Sequence, residues 1–335
     1  MKLNKVIIAG GTGFLGAPAA QAFEKKGIGV CKVSLSGGDG IKADLFAAKE
    51  EELAALFGGV NADAMIYALG PDDRVMPDAP AYEFFYGKLV EGAEKICLAA
   101  KRSGVKKIVV LGSYFAHFNA LSGGKLEKRH PYIRARARQE ERLLALSDER
   151  CAVCVLQLPY IFGVTANRTP LWRESFLSHY DGYKSVFITR GGTAATTVEG
   201  VAELCVAAAV YGEGGQRYPV GGVNLTYKEL LEKMLFYAKD PRKVHIVPAW
   251  IAAIGARGIM RAYAAAGKEP GLNPSALMTQ IQNRCFYLDA AKTERALHLA
   301  ECGFKPVREI DESIKITMRA CYPERFENGE KDRNI

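Results

Sequence analysis

No stretch of this chain is both long enough and apolar enough to cross a bilayer; the longest candidate, Pro248 to Ala256, stops at Arg257. Cysteine in metal-type spacing is also missing. The eight cysteines are scattered, and the single CxxC, Cys151 and Cys154, lies in the apolar run Cys151-Ala152-Val153-Cys154-Val155-Leu156, where packing in a buried strand is the expected role and no metal is expected. Nothing reads as a secretion signal, because the apolar run after Lys2 and Lys5 is short and ends in a glycine turn. Unpaired thiols then fit a reducing, cytoplasmic setting. Internal repeats and low-complexity linkers are absent as well. With 49% hydrophobic and 24% charged residues over 335 positions, the composition is that of a globular chain with one large or two closely linked domains.

The chain does carry a formal charge of +8, much of it between Lys125 and Arg142, where Lys128, Arg129, Arg134, Arg136, Arg138 and Arg142 cluster. A solvated helix face, an electropositive cofactor mouth and a nucleic-acid surface are the three accounts. No aromatic stripe or nucleic-acid motif accompanies the charge, so no nucleic-acid partner is expected.

The informative segment is Gly10-Gly11-Thr12-Gly13-Phe14-Leu15-Gly16. It follows the β-branched run Lys5-Val6-Ile7-Ile8-Ala9 and precedes Ala17-Pro18-Ala19-Ala20-Gln21-Ala22-Phe23, which reads as a helix. In a strand–turn–helix context, glycines let the backbone turn tightly and approach a pyrophosphate, whose charge rests on the helix N-terminus. Strands and helices then alternate: strands over 29–35, 62–69, 106–112 and 152–158, helices over 49–57, 82–103 and 132–146. That alternation predicts an α/β, doubly wound parallel sheet of the Rossmann kind with a smaller C-terminal substrate-binding lobe. Residues 1–164 form the expected dinucleotide-binding domain, with 185–215 returning to it. Residues 165–184 and 216–326 form the expected second lobe, and 327–335 a polar tail. Within that lobe, 165–182 reads as loop, 198–211, 226–239, 289–297 and 310–322 as helices, and 248–266 as an apolar helix. Trp250, Ile251, Ile254 and Ile259 predict that the 248–266 helix caps or packs on a pocket. An interfacial anchor is the alternative.

These residues resemble the extended short-chain dehydrogenase/reductase superfamily, in its NAD(P)-dependent epimerase/dehydratase and dihydroflavonol-reductase-like branch. The GxxGxxG of that family falls on Gly10, Gly13 and Gly16, with Gly11, Thr12, Phe14 and Leu15 between them. Lys42-Ala43-Asp44-Leu45 is similar to its adenine-contacting segment, which implies cofactor contacts at Asp44 and Leu45. The same resemblance implies contacts at Ala68, Leu69 and Gly70 after the third strand, and at Pro159 and Ile161 in the segment leading under the nicotinamide. Ser113 stands where the family keeps its catalytic serine, and Tyr132-Ile133-Arg134-Ala135-Arg136 overlies its Tyr-x-x-x-Lys, with arginine in place of lysine. The implied activity is that of an oxidoreductase acting on a secondary alcohol or ketone of a small molecule. A nucleotide-sugar epimerase or dehydratase and a non-catalytic dinucleotide-binding regulator are the alternatives, and a homodimer is one expected assembly.

Hydride transfer at such a carbon needs a proton donor beside the oxygen, and a tyrosine serves if nearby positive charge pulls its pKa toward neutrality. Tyr132 and Arg136 are four apart on one predicted helix face. Arginine carries the charge but cannot become the neutral amine of a proton relay, so His117 and His130 are reserve candidates for proton transfer. The end of the second strand, Ser34-Leu35-Ser36-Gly37-Gly38-Asp39, has no acid directly at the position that binds the ribose of NAD. Ser34 and Ser36 can donate to a phosphate instead, which leans NAD(P) specificity toward NADP. Tyr160, Trp172, Phe176, Trp250 and Tyr263 are candidate pocket walls, for each of which core packing is an equal account. Arg168, Arg173 and Arg190 are candidate diphosphate contacts.

Overall fold

The computed structural model describes residues 2–166 and 168–327. Most of the predicted tail, 328–335, lies outside them. In chain order the first half reads β1 (Lys5–Ala9), α1 (Gly16–Lys25), β2 (Gly29–Ser34), β3 (Ile41–Lys42), α2 (Glu50–Val60), β4 (Ala64–Tyr67), α3 (Ala81–Tyr86), α4 (Gly92–Arg102), β5 (Lys107–Ser113), α5 (Tyr114–Leu121), α6 (Pro131–Leu144) and β6 (Ala152–Leu158). The second half contains β7 (Tyr160–Phe162), β8 (Ser185–Ile188), β9 (Gly192–Thr197), α7 (Val198–Tyr211), β10 (Arg217–Pro219), β11 (Val223–Thr226), α8 (Tyr227–Tyr237), β12 (Lys243–Ile246), α9 (Ala249–Ala265) and β13 (Cys285–Phe286), followed by short closing helices.

Seven parallel strands form one sheet in the order β10-β6-β5-β4-β1-β2-β3. Strand order reverses at β1, so the crevice between β1 and β4 opens at their C-terminal ends, where ligands bind in open sheets of this kind. Val6, Ile7 and Ile8 have no exposed surface, as expected of a strand covered by helices on both faces; each such side chain contributes about 1.5–3 kcal/mol of burial. Ala19, Ala20 and Phe23 of α1 pack in one core with Val201, Ala202 and Cys205 of α7. Alanine-rich faces let these two helices approach closely, and α7 covers the same side of the large sheet as α1.

The sheet also separates the CxxC thiols. Cys154 lies in the core on the α1/α7 side and Cys151 in the core on the α2/α4 side. Strand residues three apart point to opposite faces, and burial pushes the two thiols up to about 12 and about 11. They pack.

The second lobe is built on β9, which pairs antiparallel with β11 and parallel with β7 and β13. A separate two-stranded ribbon joins β8 and β12. The strand 217–219, which the sequence places with the second lobe, is an edge strand of the large sheet, and β9, expected to return to the first domain, forms the small one. The 165–182 loop contains a π turn at Arg173–Leu177 and a 3-10 turn at Ser178–Tyr180. The helix expected over 82–103 is α3 and α4 joined by a π turn at Gly87–Glu91, where Gly92 comes against the Phe46 ring too closely for a β-carbon.

Among the polar groups buried in this framework, one carboxylate stands out. Glu140 of α6 is 3% exposed and accepts hydrogen bonds from Gln157 Nε2 (3.0 and 2.9 Å) and Arg217 Nε (3.0 Å). Burial nevertheless raises its carboxyl to about 7, against the partial compensation of Gln157 and Arg217. A raised carboxyl favours the protonated folded state, so its contribution is complete below the ordinary value of 4.5 and is lost as pH rises through about 7. Thermal unfolding at pH 5 and pH 8 checks this: the wild type is expected to lose stability across the interval, and Glu140→Gln to show a flatter profile.

Candidate active site

The glycine turn sits at the C-terminal end of β1. Gly10 has φ +90°, a conformation open to glycine, and its amide donates to Val33 O (2.8 Å). A β-carbon on Gly10 would run into the Ala68 carbonyl, and one on Gly16 into the Gly10 carbonyl. Strand, turn and helix are thus closer than any larger residue permits. Ala68 and Leu69, just past the end of β4, come against Gly10. The first turn of α1 contains no acid and no side-chain cap, so no negative side chain opposes an anion at this positive helix end. Beside it opens a cavity of about 640 Å³ lined by Gly11, Thr12, Lys32, Gly38 and Asp39 among others. Thr12 Oγ1 and Ser36 Oγ are 3.1 Å apart at its edge. Phe14 is partly buried, and Leu15 packs on the α1/α7 core.

Tyr132 and Arg136 lie one turn apart on α6, 3% and 7% exposed. Arg136 Nε donates to Tyr132 Oη (2.9 Å), Nη1 to Gln139 Oε1 (2.7 Å) and Leu111 O (3.4 Å), and Nη2 to Pro71 O (3.4 Å). The guanidinium thereby ties the phenol to β5, two residues before Ser113, and to the loop after β4. Ser113 Oγ accepts from Phe115 N (3.3 Å), capping α5. Phe85 stands edge-on to Tyr132 at 5.4 Å, and Tyr132 N donates to Gly271 O (2.9 Å). The segment bearing Gly271 is laced to the loop after β4 by Ala79 N to Gly267 O (3.0 Å), Glu269 N to Pro77 O (3.2 Å) and Ala81 N to Glu269 Oε2 (2.7 Å). Under this strap the phenol is not pulled toward neutrality, as the sequence suggests. Burial raises it, and Arg136 offsets only part of the shift.

Two further features escape the sequence reading. Asp73, half-buried in the loop after β4, is raised to about 6 by burial and by neighbouring Asp72, and its charge in turn raises Tyr132, Tyr114 and Tyr160. The signal was a pair of acids directly after Gly70-Pro71 at a sheet end. Tyr114, beside Ser113, bonds Thr193 Oγ1 across 2.9 Å and lies within ring contact of Tyr160.

The profile of the NAD-dependent epimerase/dehydratase family matches residues 6–221, well over half of the chain. The chain belongs to that family. The match covers the large sheet, the glycine turn, Ser113, Tyr132 and Arg136. Solved structures similar in fold include gox2253 (TM-score 0.72, 20% identity, 96% of this chain and 98% of that one). Others are UDP-glucose 4-epimerase from Bifidobacterium longum in complex with NAD+ and UDP (0.64, 18%, 95% and 99%) and the NAD-dependent NDP-hexosamine 5,6-dehydratase TunA of tunicamycin biosynthesis (0.63, 15%, 94% and 97%). No curated protein matches the chain in sequence.

Several residues with expected contacts also have partners within the protein. Ser34 is buried and its Oγ accepts from Gly37 N (3.1 Å), shaping the turn instead of facing the cavity. Asp44 Oδ1 accepts from Phe46 N (3.0 Å) and Ala47 N (3.1 Å), and Leu45 is 3% exposed in the core. Pro159 is buried, and Ile161 O accepts from Trp172 Nε1 (3.1 Å). Arg173 donates to Cys321 O (3.1 Å) and pairs with Glu324 (2.8 Å); Arg190 is exposed. Trp250 is 65% exposed and walls no inner pocket. His130 is fully buried, its Nδ1 accepting from Asn273 N (3.1 Å), and burial lowers it to about 4, so it stays neutral. His117 is also lowered by burial. Within the basic cluster Arg138 pairs with Glu141 and Arg142 with Glu94, as on a solvated face.

The glycine spacing separates two kinds of substitution. Gly13→Val meets the Gly10 carbonyl only at the limit of contact and is expected to keep the fold while fluorescence titration shows NADH and NADPH affinity reduced about a hundredfold or more. Gly16→Val drives a side chain into backbone and is expected to lower the melting temperature as well.

Proposed function

We propose that this chain is an NAD(P)-dependent oxidoreductase that reduces a ketone, or in reverse oxidises a secondary alcohol, of a small molecule, with Tyr132 as the proton donor. The hydrogen bond from Arg136 Nε to Tyr132 Oη carries the reading. A guanidinium N–H on the phenol oxygen leaves the hydroxyl hydrogen free to be donated outward. Burial keeps that phenol protonated at neutral pH, which suits donation to a carbonyl oxygen as negative charge develops on it. The uncapped α1 N-terminus and the adjoining cavity fit a dinucleotide's phosphates, and the nicotinamide supplies the hydride when bound. Ser113 Oγ accepts from a backbone amide and so retains its own hydrogen for the substrate oxygen. Asp73 holds a proton below about pH 6 and is the titratable carboxyl nearest in role to the relay that arginine cannot provide.

Cofactor preference rests on Lys32, whose Nζ pairs with Asp39 (2.7 Å) at the cavity wall. An ammonium there suits a ribose 2′-phosphate, and Asp39 suits ribose hydroxyls. Lys32→Met is expected to weaken NADPH about tenfold relative to NADH, and Asp39→Asn to shift preference the other way, as read by titration of both cofactors.

Turnover tests the catalytic reading. With a panel of small ketones and NADPH or NADH, Tyr132→Phe is expected to reduce kcat by about a hundredfold or more. Arg136→Met is expected to be similarly impaired. Arg136→Lys retains charge but gives up part of a four-acceptor fork, and a loss of about tenfold is expected. Asp73→Asn removes a negative charge that raises the phenol, so the alkaline limb of the pH–rate profile moves to lower pH and the limb near pH 6 disappears. Full activity in Tyr132→Phe ends the tyrosine mechanism. A nucleotide-sugar epimerase or dehydratase would regenerate its cofactor within each turnover, so stoichiometric consumption of reduced cofactor separates it from the reading preferred here. A non-catalytic regulator would bind cofactor and turn over nothing in any variant.

A further inference from the structure

The helix α9 was expected to pack on a pocket, yet only Ala253 and Ala256 of its residues are buried. Its chief partner is the short stretch 274–281, where Ser275 Oγ donates to Ala253 O (3.2 Å). The opposite face presents Trp250, Ile251 and Ile254, 65%, 46% and 54% exposed. One and two turns further along the same stripe come Arg257 and Arg261. The helix contains no acidic residue. The strand that leads into it, β12, exposes Ile246, and its partner β8 exposes Phe187.

Many arginines elsewhere are neutralised locally. Arg74, Arg102, Arg138, Arg142, Arg217 and Arg308 pair with carboxylates, whereas Arg134, Arg190 and Arg284, like the arginines of this face, form no carboxylate pair among the described residues. Among the described residues Arg257 and Arg261 have no such partner, nor does Arg129, which faces Arg257 across a groove of about 360 Å³ that also touches Trp250, Ile254 and the hydroxyls of Ser275 and Thr279. The acids of the segment that follows α9 and of its partner segment are occupied: Asp78 pairs with Lys268 (2.7 Å), and Glu269 accepts from Ala81 N.

We propose that the outer face of α9 is a docking surface for an anionic lipid bilayer, with Trp250, Ile251 and Ile254 entering the interface and Arg129, Arg257 and Arg261 meeting lipid phosphates. A tryptophan and branched aliphatics at the end of a basic helix suit the boundary between headgroups and acyl chains, where the rings and methyls leave water while guanidinium groups reach phosphate. The helix is an interfacial element and not a span, since no helix among the described residues is long and apolar enough to cross a membrane. A second copy of the chain is the poorer occupant. A twofold self-contact would bury Arg257 and Arg261 of both copies in one interface with no acid on the helix to answer them. A bilayer rich in phosphate neutralises all three arginines. This proposal is independent of the reaction at Tyr132.

Vesicles of phosphatidylcholine alone and of phosphatidylcholine mixed with phosphatidylglycerol test it with the full chain. Co-sedimentation is expected with the mixed vesicles and to weaken as salt is raised. Trp250 is one of two tryptophans, and the other, Trp172, is hydrogen-bonded inside the second lobe, so a blue shift of emission on binding reports the α9 face. Arg257→Glu with Arg261→Glu is expected to reduce binding about tenfold or more at an unchanged melting temperature, and Trp250→Ser with Ile254→Ser to abolish co-sedimentation. Failure to bind the mixed vesicles at low salt overturns the proposal, as does equal binding by either double variant. Sedimentation equilibrium showing a dimer that the Trp250→Ser, Ile254→Ser variant dissolves assigns the face to a second copy and also overturns it.

Discussion

A guanidinium buried among neutral acceptors organises the active-site end of this fold. Arg136 forms no carboxylate ion pair among the described residues; its N–H groups go to a phenol, a side-chain amide and two backbone carbonyls. A charge placed so deeply is tolerable only when its donors are satisfied, and these acceptors come from β5, the loop after β4 and two positions of α6. The requirement fixes the loop's path, the rotation of α6 and the rotamer of Tyr132 together. Lysine, with one compact ammonium, would leave most of that geometry unspecified.

The sequence made the first half of the chain legible because two independent signals agreed there. Continuous apolar runs such as Lys107-Ile108-Val109-Val110-Leu111 mark strands covered on both sides, and glycines sit where strands end. The second lobe is harder to read because its strands run from two to six residues and pair out of chain order, with β7, β11 and β13 gathered on β9. Short segments carry too little periodicity to reveal their partners.

At the site, spacing alone put Tyr132 beside Arg136, but the sign of the phenol's shift was not in the spacing. It depends on Phe85 and Gly271, distant in sequence and brought over the ring by the strap between the β4 loop and residues 267–271. Asp73 was passed over because paired acids in a loop ordinarily face water. Trp250 and Ile254 announced an amphipathic helix, yet periodicity cannot say which face is covered, and small alanines turned out to be the inner one.

Tyr132, Arg136 and Glu140 fall at successive four-residue intervals along α6, and the first two share a hydrogen bond. Phenol, guanidinium and carboxyl therefore move as one body whenever the helix shifts or rotates. Groups mechanically linked in this way do not have separable energies. The free-energy effect of changing any two of them will differ from the sum of the single changes, so the thermodynamic unit of this site is the helix face and not the individual side chain.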